Sequence, residues 1–236
     1  MKHNIRFALT MAIAGITALA VFIPNLQAGA PLTCFPFQIG GAKSLPWGDV
    51  SDPREWNAPK RDYDSRRLAD DTLVLLGDST PVIVRMETIR RAAVYGMRDP
   101  AAAEHLVAML KARARKNEKG RVSPLYLFDY GYAVETFKQA GLHDGGKKGI
   151  PIASSEDGYS GICEALALRT DDPEMEFAAA MVTLWPRREQ HQEHFRKAVA
   201  GASGDSLLTK NLIDHFADRG HSLAQLRASA SIPGGK

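Results

Sequence analysis

The chain has 236 residues, of which 44% are hydrophobic and 24% charged, a composition typical of a folded globular protein and too apolar for wholesale disorder. Its 30 Lys and Arg residues barely outnumber its 27 Asp and Glu residues, and the sequence has no basic run with interleaved aromatics. Composition and charge thus exclude a typical nucleic-acid-binding protein, and the length predicts one main domain.

The N-terminus has the three zones of a bacterial secretory signal. Lys2 and Arg6 supply a positive start, residues 7–23 form an uncharged apolar run, and small residues follow. We expect cleavage after Ala28, which would leave about 208 residues with 28 positive and 27 negative side chains. Residues 1–28 are therefore predicted to be a signal peptide, and the mature chain is expected in the periplasm or outside the cell. The alternative is an uncleaved anchor, the one membrane contact that the sequence predicts.

Residues 29–61 are rich in Pro, Gly and aromatic residues and have no sustained periodicity. Their side chains are too apolar for a solvated tail, so we expect an irregular segment packed on the domain, although Trp47 and Trp56 could instead line a ligand site. The two cysteines of the chain, Cys34 and Cys163, would meet an oxidising compartment after export. We predict a disulfide between them, with two unrelated thiols, or a lipid on Cys34, as alternatives.

From residue 62 onward the pattern is helical. Four times a capping residue is followed by Pro, a combination that starts a helix: Thr80-Pro81, Asp99-Pro100, Ser123-Pro124 and Asp172-Pro173. Apolar residues then recur at helical spacing, and charged residues, such as Arg85, Arg90 and Arg91, are expected on the solvent side. We predict an all-α domain over residues 62–236 whose later helices are 160–169, 173–185, 188–200 and 206–219. Strand character is limited to 72–76 and 150–153.

The sequence matches itself at an offset of 89 residues. MET at 86–88 and AEHL at 103–106 align with MEF at 175–177 and QEHF at 192–195. Two periods of about 45 residues would give this offset, within the range of HEAT-type helical hairpins. Residues 81–219 thus resemble HEAT-like repeats. The resemblance implies stacked antiparallel hairpins, an α-solenoid that binds another macromolecule; a compact irregular bundle is the alternative fold.

The segment LADDTLVLLGDST, residues 68–80, resembles the first block of secreted GDSL-type esterases. The resemblance implies that Ser79 is the nucleophile, His221 the general base and Asp218 its orienting partner, because Asp218 and His221 have the DxxH spacing of that family. The family also has a five-stranded parallel sheet, which the two predicted strands cannot supply. We therefore keep a serine esterase as the alternative function.

Three histidines form a further candidate site. His191 and His194 lie three residues apart on one predicted helix, and His215 lies on the next. Three imidazoles could hold zinc with one open position. We favour a packing or surface role, because His194 occupies the repeat position of His105. No cofactor is predicted.

These observations predict an exported, non-enzymatic binding or scaffold protein of the cell envelope, with a protein or other envelope component as its partner. Helical repeats commonly present grooved surfaces to such partners. An esterase that uses Ser79, Asp218 and His221 is the competing hypothesis, and a structural envelope protein without a dedicated ligand is the third.

Overall fold

A computed structural model of the chain describes residues 32–48, 57–115, 117–118, 121–143, 156–217 and 222–231. In these residues a 3-10 turn, Ser65–Arg67, is followed by nine helices: α1 Leu68–Leu75, α2 Val82–Gly96, α3 Pro100–Ala114, α4 Pro124–His143, α5 Gly158–Leu168, α6 Pro173–Thr183, α7 Arg188–Gly201, α8 Leu207–Phe216 and α9 Leu223–Ala230. Asn117–Glu118 and Arg121–Val122 form a short antiparallel hairpin between α3 and α4. No helix in the described ranges is long and apolar enough to cross a membrane. The predicted signal peptide, Trp56 and the predicted strand at 150–153 lie outside the described residues.

The predicted all-α class is confirmed, and each pair of a capping residue and Pro marks a helix start. The Asp99 side chain caps α3 by accepting a hydrogen bond from the Ala102 N–H, with the two atoms 3.1 Å apart. Helix α2 begins one residue after Pro81, but Thr80 does not cap it. The Thr80 hydroxyl instead donates to the carbonyl of Leu75 at 2.9 Å.

Near the ends of the domain one secondary-structure prediction is wrong and one helix was not predicted. The strand predicted at 72–76 lies in and just after α1, which buries Leu68 and Thr72 with helical spacing. A short apolar run does not distinguish a strand from a helix by itself, and tertiary packing decides here. Helix α9 was not predicted, although Ser222 and Gln225 form a reciprocal capping box at its start.

Helices α2 and α6 form the centre of the fold. All residues of α2 except Arg91 are buried, as are nine of the 11 residues of α6. Helices α1, α3, α4, α5, α7 and α8 each pack against one or both of these two, and α2 and α6 also contact each other. Since a solenoid repeat contacts only its neighbours in sequence, this arrangement favours the compact bundle over a regular stack of hairpins.

Helices α4 and α5 approach each other so closely that only glycine fits. A Cβ atom on Gly131 would collide with the carbonyl oxygen of Gly158, and one on Gly158 would collide with that of Gly131. The GYSG sequence at 158–161 is therefore a helix-packing motif. It places Tyr159, the second residue of α5, next to the contact between the two helices.

Two of the three α2 arginines that we expected to face solvent are instead buried. Arg85 and Arg90 each have 0% of their side chain exposed. Arg85 pairs with Asp129 of α4 at 2.6 Å and donates to the carbonyls of Gly77 and Thr80, so it ties the α1–α2 turn to the core. Burial raises the pKa of Asp129 to about 6, because the loss of hydration outweighs the attraction of Arg85.

Glu87, in the middle of α2, is also buried. Its two carboxylate oxygens accept hydrogen bonds from Arg90 at 2.7 and 2.9 Å and from Arg91 at 2.7 Å. Burial by itself would raise the pKa of Glu87, but the two guanidinium groups outweigh burial and leave the pKa below its ordinary value. One ionised carboxylate therefore sits between two arginines in the core.

The same network holds the N-terminal segment 32–48 against the helices. The Phe37 N–H donates to Glu87 at 3.0 Å, and the two arginines donate to the carbonyls of Thr33 and Leu45 at 3.1 and 2.8 Å. Apolar side chains of the segment enter the hydrophobic core: Leu32, Phe37 and Leu45. The described part of the segment is thus an integral part of the domain.

The predicted disulfide is wrong, because Cys34 and Cys163 are both free thiols. Cys34 is buried in segment 32–48 with its sulfur 3.8 Å from the Thr33 hydroxyl. Cys163 is half-buried on α5, beside Tyr159. A disulfide needs Cα atoms within about 7 Å of each other, and a count of two cysteines does not reveal that distance.

Replacing Glu87 by Ala removes the carboxylate that neutralises two arginines in the core. We expect the free energy of unfolding, measured by urea titration with circular dichroism, to fall by roughly 3–5 kcal/mol. The control is Glu193→Ala, which removes a carboxylate that is 58% exposed and paired with Lys197; its cost should stay below about 1 kcal/mol. Equal losses for the two variants would contradict the role given to Glu87.

Candidate functional site

Of the three residues of the predicted esterase site, the structure describes only Ser79. Ser79 is exposed in the turn between α1 and α2, and the described part of the chain contains no parallel sheet. Asp218 and His221 lie outside the described residues. The turn that carries Ser79 is held by structural contacts, among them a hydrogen bond of 3.0 Å from the Tyr126 hydroxyl to Asp78.

The three histidines of the zinc hypothesis have separate environments. Nδ1 of His191 is 2.9 Å from the carbonyl oxygen of Ala180, His194 contacts other side chains, and the His215 ring stacks on Phe37 with centroids 4.7 Å apart. Among the residues that the structure describes, no group of three His, Cys, Asp or Glu side chains could hold a metal ion. The structure therefore gives the zinc hypothesis no support.

His194 is instead the centre of a hydrogen-bonded chain that links three helices. Its Nδ1 lies 2.5 Å from the Glu176 carboxylate of α6, and its Nε2 lies 2.8 Å from the Tyr159 hydroxyl of α5. Glu176 also forms an ion pair with Lys197 at 3.4 Å. An ionised carboxylate only accepts hydrogen bonds, so Nδ1 of His194 donates to Glu176. In a neutral imidazole Nε2 then accepts a hydrogen bond from the Tyr159 hydroxyl.

These hydrogen bonds position Tyr159 without turning it into a nucleophile. Burial raises the pKa of Tyr159, so the phenol keeps its proton at neutral pH. Glu176 and His194 are 6% and 8% exposed, whereas Tyr159 is half-buried. The buried pair thus acts as a support that fixes an aromatic ring at the edge of the surface.

A charged pair lies at this ring, and a second aromatic residue, Trp185, closely precedes its arginine in the chain. The Arg187 guanidinium lies 4.4 Å from the centroid of the Tyr159 ring and donates to both carboxylate oxygens of Asp157 at 3.3 Å. Trp185, two residues before Arg187 in the turn between α6 and α7, is 49% exposed. Asp157, Tyr159, Trp185 and Arg187 are called the Trp185 surface below.

Comparison of the chain with protein-family models, curated proteins and solved structures finds no match. The site is therefore interpreted from its own geometry.

Sequence reasoning singled out His194 as a zinc candidate while favouring a packing or surface role, and it did not select Tyr159, Glu176 or Trp185. One signal was available, since Glu176 stands 89 residues after Glu87, at the same place in the internal match. Both glutamates are buried in the two central helices, at 6% and 1% exposure. Trp185 has no comparable signal, because exposure in a turn between helices depends on the packing of the whole domain.

The side chain of His215, on α8, is half-buried, and its Nε2 atom is shielded from solvent. Its Nε2 has no hydrogen-bond partner among the described residues, and its ring packs against Phe37 and Phe177. Burial lowers the pKa of His215 from 6.5 to about 4, and of the nearby charges Glu87 raises the pKa while Arg90 lowers it. The folded protein therefore requires a neutral imidazole here.

Acid should destabilise the protein through His215. Between pH 6.5 and about 4, His215 binds a proton in the unfolded chain but not in the folded protein. The free energy of unfolding therefore falls as the pH falls. The depressed pKa corresponds to about 3 kcal/mol across this range. The measurement is urea unfolding between pH 7 and about 4 for the wild type and for His215→Gln, whose loss of stability with acid should be smaller by that amount. The exposed His105→Gln is the control and should follow the wild type; the same slope in all three proteins would contradict the assignment.

Proposed function

We propose that this chain is an exported binding protein of the bacterial cell envelope and that it recognises another protein through the Trp185 surface. The signal-like pattern of residues 1–28 supports export. The observation that carries the binding proposal is the 49% exposure of Trp185, two residues before an arginine that packs on the ring of the supported Tyr159. Trp, Tyr and Arg are the residues that most often dominate the binding energy of protein interfaces.

The supports beneath this surface favour recognition over catalysis. His194 and Glu176 hold Tyr159 in one orientation, and Asp157 and Tyr159 hold Arg187. Side chains that are already ordered lose less entropy when a partner binds, so less of the contact energy is lost on association. A protein partner fits best, because the surface combines aromatic faces with one positive and one negative group.

The esterase hypothesis gains no comparable support. Ser79 is exposed in a turn whose neighbours serve to hold α1 and α2 together, and its predicted strand is a helix. A serine nucleophile needs a base within hydrogen-bond reach, and the base implied by the resemblance lies outside the described residues.

Trp185→Ala should weaken partner recognition while leaving the fold intact. Wild-type and variant proteins are immobilised and exposed to an envelope extract of the source bacterium, and bound proteins are cross-linked and identified by mass spectrometry. The identified partner is then titrated against each protein, and we expect Trp185→Ala to weaken binding by about thirtyfold, corresponding to about 2 kcal/mol. The control is Val74→Ala, which truncates an apolar side chain on α1 that is 81% exposed. Equal binding by the two variants, with equal melting temperatures, would contradict the proposal.

Export predicts a defined mature terminus. When the full-length chain is expressed in a bacterium and recovered from the periplasmic fraction, N-terminal sequencing should begin at Gly29. A chain that begins at Met1 and stays in the cytosolic fraction would contradict export.

A further inference from the structure

Helix α3 leaves one long face uncovered, and that face carries no charge. Four of its exposed positions recur at spacings of four and three residues: Ala101, His105, Ala108 and Ala112. Met109 lies at the edge of the same face and is 38% exposed. A spacing of this kind is the pattern with which one helix packs lengthwise against another.

A recess lies next to this face. The 3-10 turn and the starts of α1 and α3 enclose a depression of about 240 Å³ whose exposed wall is mainly apolar. Ala69, Ala101, Ala102 and His105 line it together with Ser65, Arg66 and Asp99. The face therefore offers both a protruding side chain, Met109, and a hollow at the other end of the same helix.

We infer that α3 is the contact of a symmetric homodimer, in which the α3 helices of two copies pack antiparallel. In this alignment Ala101 of one copy lies opposite Ala112 of the other, and His105 lies opposite Ala108. Met109 of each copy then meets Ala102 of the other and enters the recess. The two-fold symmetry repeats this contact, so each copy inserts its Met109 into the recess of the other. A self-complementary two-fold interface requires such a pair of equivalent contacts.

The charges beside the face fit the same alignment. Glu104 precedes His105 and Lys111 precedes Ala112, so an antiparallel pair brings Glu104 of each copy next to Lys111 of the other. Lys111 is 27% exposed and already bonds Glu156 in its own chain, which leaves further donors on its ammonium group for a second carboxylate. A parallel pair would not bring these two side chains together. Charge complementarity thus selects a second copy in antiparallel orientation as the occupant.

The test is the oligomeric state of the purified protein, measured by sedimentation velocity over a hundredfold range of concentration. The wild type should dimerise. Glu104→Lys should raise the dimer dissociation constant by about tenfold or more, because it places two pairs of lysines in contact. Glu104→Lys combined with Lys111→Glu should restore dimerisation, which a merely structural effect of either substitution would not do.

Two further variants make the result specific to this face. Ala108→Glu places two carboxylates near the symmetry axis and should give a monomer with an unchanged circular dichroism spectrum. Glu164→Lys, on the exposed side of α5, makes the same charge change as Glu104→Lys away from the face and should leave the dimer intact. A wild type that stays monomeric at every concentration would overturn the inference, and so would identical behaviour of Glu104→Lys and Glu164→Lys. This outcome is independent of binding at the Trp185 surface.

Discussion

The rest of this fold depends on the ion pairs and hydrogen bonds that the buried carboxylate of Glu87 makes. A charge buried in a protein interior is tolerated only when it is paired and hydrogen-bonded, and Glu87 obtains both from Arg90 and Arg91 and from the Phe37 N–H. The arginines in turn require acceptors, which the carbonyls of the N-terminal segment supply. Segment 32–48 is therefore fixed by the chemistry of one helix, and it completes the core above α2 with its own apolar side chains.

The internal match in the sequence shows how one buried acid can serve two purposes. In the first half, Glu87 lies on the central helix α2 and binds arginines that hold a segment in place. In the second half, Glu176 lies on the central helix α6 at the same place in the match and binds His194, which supports Tyr159 at the surface. His105, the counterpart of His194, is exposed on α3. The two halves thus share the position of a buried glutamate and differ in the groups that neutralise it, so one half contributes stability and the other a supported surface.

Local chemistry explains what could be predicted from the sequence. Helix starts such as Asp99-Pro100 depend on neighbouring residues, and helical spacing is a local pattern, so the all-α class and most helix positions followed from them. The burial of Arg85 and Arg90 could not be predicted, because their partners Asp129 and Thr33 are far away in sequence. The free cysteines and the contact between Tyr159 and His194 are non-local in the same way. The strand predicted at 72–76 failed because its apolar run fits either type of element until its neighbours are known.

The most direct test of the central role of Glu87 is hydrogen exchange of the backbone amide of Phe37, followed by NMR in the native protein. If segment 32–48 is part of the cooperative core, this amide opens only with global unfolding, and its opening free energy equals that of the slowest amides of α2. Exchange of the Phe37 amide with an opening free energy far below that of α2 would show that the segment detaches on its own, and it would contradict the account.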